Sequence, residues 1–272
     1  MSSSPLPAAL DMTRDRRIPL GVLRDTVAIA RRNLIAYVRI PQLLVFSTVQ
    51  PVVFVILFRY VFGGAITGLP PGVSYVNYLM PGIFVQTVVF GAIATAVGLA
   101  SDLKTGLMER FHALPMARSA VLTGRTAADL LRNVFVVILM MVVGFLVGWR
   151  IETNFLALTA AALLVMLFGY AMSWIFATVG MAVGDPETAQ AAAFPVLAPL
   201  VFASSAFVPI ATMPAWLQTF AYHQPVTATV NAVRALTIGG PTAHYVRAAL
   251  AWDVGLFVVF AYISVRLYRR TD

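Results

Sequence analysis

Two carboxylates, Asp185 and Glu187, are the side chains that first suggest acid–base or cation-binding chemistry, because they stand two residues apart in the run Gly-Asp-Pro-Glu-Thr. Such a pair can share a proton or hold a cation where the fold adds further polar groups. This pair, however, lies beside a proline and between two long apolar stretches, which is typical of a solvated turn. We therefore predict a turn in which Asp185 or Thr188 caps the following helix.

Other reactive side chains are few. The chain has 3 histidines and no cysteine, which excludes a thiolate nucleophile, a thiolate metal site and a disulfide. The histidines lack the H-x-x-x-H or H-E-x-x-H spacing that places two ligands on one helix face. The single lysine, Lys104, belongs to no G-x-x-x-x-G-K-[ST] loop, so we expect no ATP hydrolysis by this chain. The sequence therefore predicts no catalytic residue, no metal and no cofactor here.

The composition excludes an ordinary soluble domain. Of 272 residues, 60% are hydrophobic and only 11% are charged, whereas soluble domains carry about 25% charged residues. So few charges cannot cover the surface of a water-soluble protein of this size. We predict an all-α integral membrane protein. In such a protein, a net charge of +8 mainly indicates basic loops that stay in the cytoplasm. A nucleic-acid partner is the less favoured explanation of the charge.

Six apolar stretches are long enough to span a bilayer, since a spanning helix needs about 20 mostly apolar residues. They are predicted at 43–66, 78–100, 130–149, 155–183, 189–208 and 245–267. Most of the 19 basic residues lie before the first stretch, between the second and third, or after the sixth. Because cytoplasmic loops carry such an excess, both termini are predicted to be cytoplasmic.

Ionisable residues inside the predicted spans are few, and intramembrane charges are functional hypotheses by default. Asp129 and Arg132, three residues apart at the cytoplasmic start of the third span, are predicted to form a local pair. Arg59 lies near the outer end of the first span, and Asp253 lies about two turns inside the sixth. They are predicted either to form an ion pair that fixes helix packing or to line the path of a substrate. No acid lies near the bilayer centre, which disfavours an ion-coupled carrier.

The N-terminal region is predicted to contain two parts. Residues 1–20 are rich in Ser, Pro and Arg and are expected to form a disordered cytoplasmic tail. Residues 22–38 have an amphipathic pattern, with Val27 and Ala30 on the apolar side and Arg31 on the other. We expect a helix in the cytoplasmic interface with its apolar face in lipid and its arginines at lipid phosphates. A simple polybasic topology anchor is the alternative.

A second amphipathic segment follows the second span. Leu103, Leu107 and Phe111 recur every four residues, which predicts a short helix over 103–114 that Pro115 ends. An isolated helix of this length is marginal in water. It therefore needs a surface to pack on, either the membrane or another protein.

The segment 209–238 is too polar and too interrupted by proline to span, yet too apolar for a free loop. Lipid-exposed irregular backbone does not occur at membrane depth. We predict two short helices, 214–222 and 226–238, that dip into the membrane from the outer side. Trp216 and Tyr222 suit the level of the lipid headgroups.

Several motifs recur in this order: Glu-Arg-Phe-His-Ala-Leu-Pro from Glu109, Met-Pro-x-Trp-Leu from Met213, His-Gln-Pro-Val-Thr from His223, and Asn-Ala-Val-Arg-Ala-Leu around Arg234. With the six spans they resemble the type-2 ABC exporter permeases, and most closely the daunorubicin-resistance-type subfamily. The resemblance covers about residues 22–270. One departure is His-Gln-Pro, where many relatives have Asn-Pro.

The resemblance implies roles for particular residues. The ATPase-coupling helix would include Leu107, Glu109, Arg110, Phe111 and His112. The outer gate would include Met213, Trp216, His223, Pro225 and Arg234. Substrate would lie between two subunits against Phe84, Gln86, Phe90, Phe194, Phe202 and Ser205, although the aromatic members could equally face lipid or the core.

The resemblance also implies an assembly. Residues 21–40 would be the connecting helix and 41–272 the six-span permease domain. Two permease subunits, identical or related, would bind two separate ATPase subunits that carry ATP and Mg. The complex would export a hydrophobic drug, antibiotic or lipid-like metabolite from the cytoplasm or inner leaflet of a bacterial plasma membrane. One alternative is a permease for lipid-linked polysaccharide. A second and less favoured alternative is a membrane-embedded lipid-modifying enzyme.

Overall fold

The computed structural model describes residues 19–39, 41–107 and 118–270, and every regular element in these ranges is helical. The helices are α1 (Pro19–Arg39), α2 (Pro41–Ile56), α3 (Tyr75–Gly91), α4 (Ile93–Lys104), α5 (Arg118–Val147), α6 (Phe155–Val183), α7 (Pro186–Phe202), α8 (Ala215–Tyr222), α9 (Pro225–Ile238) and α10 (Thr242–Arg270). A π-helical turn, Leu57–Phe62, extends α2. The predicted all-α class is confirmed, while the predicted tail at 1–20 lies outside the described residues up to position 18.

Within the described residues, four stretches are long and apolar enough to cross a membrane: Tyr75–Lys104, Leu122–Val147, Phe155–Val183 and Thr242–Tyr268. They coincide with the predicted second, third, fourth and sixth spans. The predicted first span is helical as far as Phe62, and its apolar helix, Thr48–Phe62, is shorter than the four spans. The count of six spans therefore stays a prediction.

The predicted fifth span ends earlier than expected. Helix α7 stops at Phe202, so the predicted end at residue 208 is wrong. Ser204 Oγ donates to the carbonyl of Val201 at 2.6 Å and accepts from the backbone N–H of Ala206 at 3.1 Å. Because a hydroxyl can replace the next helical hydrogen bonds in this way, the chain leaves the helix here and turns towards α8.

Helices α3 and α6 form the centre of the bundle. α6 packs on α3, α4, α5, α7, α9 and α10, and every residue of α3 from Tyr75 to Val89 is buried. Small residues let α6 approach its neighbouring helices closely. A β-carbon on Gly180 of α6 would lie 2.8 Å from the Cα atom of Ala96 in α4.

The predicted N-terminal helix is present as α1, but part of it packs against protein. Ile29 and Ala30 are buried, and Ile29 packs in a cluster with Leu122 of α5. The prediction that the apolar face lies in lipid is therefore wrong for Ala30, whereas Val27, on the same predicted face, is 58% exposed. Gly124 makes the contact possible, since a β-carbon there would lie 2.7 Å from the carbonyl oxygen of Thr26.

The predicted helix over 103–114 does not begin at Leu103. α4 continues through Lys104, so Leu103 belongs to the spanning helix. Gly106 then adopts a φ of 66°, a left-handed conformation that favours glycine and ends helices. Leu107 follows this turn, and residues 108–117 lie outside the described part of the chain.

The turn before α7 forms as predicted. Asp185 is the N-cap residue of α7, and its Oδ2 accepts from the backbone N–H of Thr188 at 3.0 Å. Its Oδ1 accepts from Lys104 Nζ at 2.7 Å. The pKa of Asp185 is lowered to about 2. The hydrogen bond from Lys104 has the largest effect, and the two hydrogen bonds from Thr188 add to it.

This depressed pKa predicts a specific pH dependence. Since the folded pKa lies below the unfolded value of about 3.9, the contribution of Asp185 to stability is complete above about pH 4 and is lost as pH falls towards 2. Asn remains a good N-cap, so Asp185→Asn removes mainly the charge. The thermal midpoint of the wild type in detergent should exceed that of Asp185→Asn by a constant amount from pH 7 to about pH 4.5. The gap should close between about pH 4 and pH 2.

Lys104→Gln supplies the control for this experiment. In the Lys104→Gln background the Asp185→Asn substitution should have a smaller effect at neutral pH, because the ion pair is already absent. An unchanged effect would show that Lys104 does not stabilise the Asp185 carboxylate.

Candidate functional site

A pocket of about 300 Å³ lies between α2, the junction of α3 and α4, and α5. Its apolar lining comprises Pro51, Phe90, Gly91, Ala94, Val97, Gly98 and Val136. Its polar lining comprises Gln50, Gln86, Thr87, Arg125, Arg132 and Asn133. An apolar wall with a few convergent polar groups is typical of a small-molecule site.

Helical spacing explains why these side chains meet. Gln86 and Phe90 are one turn apart on α3, and Arg125, Arg132 and Val136 share one face of α5. α3 and α5 pack against each other. The pocket therefore lies where two neighbouring helices present polar residues to each other inside an apolar bundle.

The polar wall contains a hydrogen-bonded arginine and amide. Arg132 Nη2 donates to the carbonyl of Gly91 at 2.7 Å and to Asn133 Oδ1 at 3.1 Å. A side chain at Gly91 would block this approach, since its β-carbon would lie 2.7 Å from Arg132 Nη2. Asn133 Nδ2 and Gln86 Oε1 have no hydrogen-bond partner, and both residues are 2% exposed. Asn133 Nδ2 lies against α6, 3.1 Å from a β-carbon placed on Gly169.

Arg125 joins three helices beside the pocket. Its Nη1 donates to Asp102 Oδ2 at 3.4 Å, and its Nη2 donates to the carbonyl of Ala94 at 3.1 Å. Asp102 Oδ2 also accepts from Arg32 of α1 at 3.1 Å. The guanidinium lies directly against Gly98. Movement of α1 would therefore reach the pocket through Asp102 and Arg125.

The structure divides the predicted substrate-path residues. Gln86 and Phe90 line the pocket, and Phe194 of α7 contacts Phe90 edge-on with ring centroids 6.4 Å apart. Phe84 instead lies in the core against Trp149, with ring centroids 5.1 Å apart. Three of the predicted residues thus gather at or beside one site.

The other two predicted path residues lie elsewhere. Phe202 stacks on Phe207, 5.6 Å away between ring centroids, and is 44% exposed. Ser205 is buried, and its Oγ donates to Asn231 Oδ1 at 2.9 Å. These two residues belong to the end of the bundle that carries α8 and α9.

The predicted outer-gate residues are spread over that same end. Trp216 is 75% exposed, and Met213 precedes α8, in which Trp216 lies. His223 Nδ1 is 2.8 Å from the carbonyl oxygen of Thr219. Pro225 occupies the first turn of α9. The two predicted short helices therefore form, while their insertion into a membrane stays a prediction.

Arg234, the fifth predicted gate residue, ties α9 to α3. Its guanidinium donates to the carbonyl of Tyr78 at 3.3 and 3.0 Å, to that of Ser205 at 2.9 Å and to Asn231 Oδ1 at 3.0 Å. It also stacks on the Tyr78 ring, 3.6 Å from the centroid. A forked guanidinium suits such multiple contacts. Arg234 therefore connects α3, the turn after α7, and α9.

The predicted ion pair between Arg59 and Asp253 does not form. Both carboxylate oxygens of Asp253 and the Nε atom of Arg59 lack a hydrogen-bond partner. Arg59 lies in the π-helical turn, which packs on α2 and α3, and stacks over Tyr60 at 5.7 Å. Asp253 is fully buried in α10, which packs on α6 and α9. The two charges are thus held by different parts of the bundle.

The predicted coupling residues are mostly beyond the structural description. Leu107 is partly buried, whereas Glu109, Arg110, Phe111 and His112 lie outside the described residues. Their role stays a prediction from the sequence.

Sequence reasoning missed most of the polar wall. The sequence pattern gives Gln50, Arg125 and Asn133 no role in a site. A polar side chain inside or beside an apolar stretch is the sequence signal that could identify such lining residues. Of the polar lining residues, only Gln86 is in the predicted substrate path.

Several helices of spanning length among the described residues define a multi-pass membrane protein. The profile of the ABC-2 type transporter family matches residues 24–238. The chain therefore belongs to the ABC-2 type transporter family, as its motifs indicate.

Related proteins agree with this family. The chain is 34% identical over 241 residues to a daunorubicin resistance ABC transporter permease protein of Streptomyces coeruleorubidus, covering 89% of this chain and 84% of that protein. It is 25% identical over 226 residues to a probable doxorubicin resistance ABC transporter permease protein of Mycobacterium tuberculosis, covering 83% and 81%. A putative transport permease of Porphyra purpurea is 25% identical over 219 residues, covering 78% and 74%.

Proposed function

We propose that this chain is the permease subunit of an ATP-driven exporter of a hydrophobic drug, antibiotic or lipid-like metabolite. The observation that carries the proposal is the pocket beside Gln86 and Phe90, in a family whose relatives include drug-resistance permeases. Its apolar wall suits a hydrophobic cargo, and its polar wall suits a cargo with a polar end.

The proposed arrangement has six spans in a bacterial plasma membrane, with both termini cytoplasmic. Helix α2 with its π-helical turn would be the first span and α7 the fifth. Helices α8 and α9 would re-enter the membrane from the outer side. The excess of basic residues at the α1 end supports this orientation.

The proposed complex contains two permeases, identical or related, and two ATPase subunits on separate chains. ATP and Mg would bind the ATPases. The segment from Leu107 to His112 would dock on an ATPase, and ATP binding would favour one arrangement of the permease pair over the other by differential affinity. The Arg32–Asp102–Arg125 contacts lead from α1 to the pocket.

Two variants test the docking step in the chain co-expressed with its ATPase. Glu109→Arg and Phe111→Ala should each reduce ATP-dependent daunorubicin uptake into inverted vesicles to background, because the ATPase would no longer bind the permease. The amount of inserted permease should stay unchanged, and co-purification of the ATPase should fall.

Glu187→Arg is the matched control for the charge reversal, since Glu187 is an exposed carboxylate in the first turn of α7. It should leave both readouts intact. Full co-purification and uptake with both coupling variants would overturn the assigned docking segment. Uphill transport by the purified permease alone would overturn the exporter proposal itself.

A further inference from the structure

Helix α7 carries two prolines in its interior, Pro195 and Pro199. Proline has no backbone N–H, and in a helix this N–H would bond to the carbonyl group four residues earlier. The carbonyl groups of Ala191 and Pro195 therefore have no helical donor. The next carbonyl of the series, that of Pro199, does accept, from the backbone N–H of Ala203 at 3.0 Å. Two successive acceptors, one turn apart, are thus left without their helical hydrogen bonds.

The missing hydrogen bonds lie on the open side of α7. Ala191, Pro195 and Pro199 are all exposed. Ala193 and Leu197, which lie on the opposite side of the helix, are buried. Residues four apart share one face of a helix, and the helical hydrogen bonds run between them. The two carbonyl groups therefore belong to the face of α7 that the rest of this chain does not cover.

The position of these carbonyl groups excludes lipid as their neighbour. α7 has 17 residues, and Pro195 lies near its middle. With α7 as the proposed fifth span, both acceptors lie at membrane depth. Lipid tails supply no donor, and unpaired backbone at this depth occurs only where it is buried in protein or lines a water-filled cavity. The open face of α7 is therefore not a lipid face.

The same helix of a second permease would be a poor source of donors. The side-chain donors of α7 are Thr188 and Gln190, and α7 has no basic residue. The hydroxyl of Thr188 is already bonded to Asp185 Oδ2 at 2.9 Å. Two copies of this face would therefore oppose acceptors to acceptors, which favours a bound molecule that brings its own donors.

Aromatic rings on the open face favour a positively charged donor. Phe194 and Phe202 are 55% and 44% exposed. The faces of aromatic rings attract ammonium groups, and backbone carbonyl oxygens coordinate cations. Phe194 also contacts Phe90, which lines the pocket. The open face thus combines two acceptors, two exposed rings and no basic residue.

We propose that the open face of α7 binds an amphiphilic organic cation, a protonated amine that bears N–H groups. The ammonium donates to the carbonyl oxygens of Ala191 and Pro195, and the apolar body lies against Phe194 and Phe202. That this amine is the exported cargo rests on the proposed function, whereas its binding requires only that α7 spans the membrane.

Three probes with the same anthracene ring test the chemistry of this face. They are 9-(aminomethyl)anthracene, its N-trimethylated analogue and 9-anthracenecarboxylate, each dialysed at pH 7 against the full chain in neutral maltoside detergent and against empty micelles. The primary ammonium should bind saturably to the chain. The trimethylated analogue has the charge but no N–H group and should bind about tenfold more weakly. The carboxylate should show no saturable binding.

Pro195→Ala and Pro199→Ala test the two carbonyl groups one at a time. Each substitution restores a backbone N–H that pairs the carbonyl four residues earlier, so each removes one free acceptor. Each variant should bind the primary ammonium about tenfold more weakly. Its thermal midpoint should stay equal or rise, because alanine favours a helix over proline. A merely structural role of the prolines would instead lower the thermal midpoint.

Pro186→Ala is the matched control in the same helix. Pro186 is the first residue of α7, where the N–H has no helical partner in any case. This variant frees or closes no carbonyl group and should bind all three probes as the wild type does. An equal loss of binding in all three proline variants would show that the free carbonyl groups are not the cause and would overturn the proposal.

Probe selectivity of the wild type keeps the test decisive if the interior variants do not fold. Equal binding of the ammonium and the carboxylate, or full binding by both interior variants, would overturn the proposal. If the wild type binds no ammonium and the interior variants lose a permease dimer in light scattering, the proposal is wrong and the face belongs to a second permease. Selective binding without ATP-dependent uptake of the same ammonium would support the site and count against the exporter alone.

Discussion

Replacing Gly82 with alanine should prevent the chain from accumulating as a stable, monodisperse species. A β-carbon at Gly82 would lie 2.6 Å from the carbonyl carbon and 2.7 Å from the Cα atom of Ala206. Both partners are backbone, so no side chain can rotate to relieve the contact. Overpacking a filled interior costs about 1–3 kcal/mol, and more where the backbone must shift. Here α3 would be pushed away from the turn that follows α7.

Gly255→Ala is the matched control for this prediction. Gly255 lies in α10 and faces open space, since nothing lies within 4 Å of a β-carbon placed there. Alanine favours a helix over glycine by about 1 kcal/mol. Thermal midpoints from fluorescence-detected size-exclusion chromatography should therefore fall sharply for Gly82→Ala and stay equal or rise for Gly255→Ala. Equal behaviour of the two variants would show that α3 does not contact the turn as described.

The second large effect is expected for Arg234. Arg234→Ala removes four hydrogen bonds and leaves the carbonyl groups of Tyr78 and Ser205 without this donor. Each buried acceptor left unpaired costs about 1–3 kcal/mol, and the stacking on the Tyr78 ring is lost as well. We expect a loss of thermal stability and faster proteolysis of the segment from α7 to α9.

Arg234→Lys separates the charge from the geometry. Lysine keeps the positive charge but cannot form the fork that reaches three acceptors, so this variant should resemble Arg234→Ala more than the wild type. Arg247→Ala is the control, because Arg247 is exposed and bonds to the carbonyl of Ala243 in its own helix, at 3.1 Å. Full rescue by lysine would mean that a point charge suffices.

Much of the local structure was predictable from the sequence. The order and approximate limits of the apolar helices, the N-terminal helix, the two short helices before α10 and the Asp185 cap all follow from local patterns. These features depend on hydrogen bonds and contacts between residues near in sequence. The errors fell where a single side chain or glycine overrode the pattern, as Ser204 does at the end of α7 and Gly106 does after α4.

The candidate site was only partly predictable. The family resemblance implies Gln86, Phe90 and Phe84 as parts of the substrate path, yet Phe84 lies in the core while the other two line the pocket. Arg125 and Asn133 come from another helix and meet Gln86 only because α5 packs on α3. Their spacing in the sequence carries no information about this contact.

The sequence by itself determined that this chain is helical, membrane-spanning and a member of its transporter family. Only the tertiary structure decided which faces meet, where the pocket lies, and that Arg59 and Asp253 stay apart. In a soluble helix the apolar face marks the core, but in a membrane both lipid and protein neighbours are apolar. Tyr75–Lys104 and Thr242–Tyr268 both qualify as spans, yet 67% of an apolar 18-residue window of the first and 17% of that of the second is buried inside the protein. Hydrophobicity therefore places a helix in the bilayer, while close contacts at glycines and the pairing of polar groups decide what it packs against.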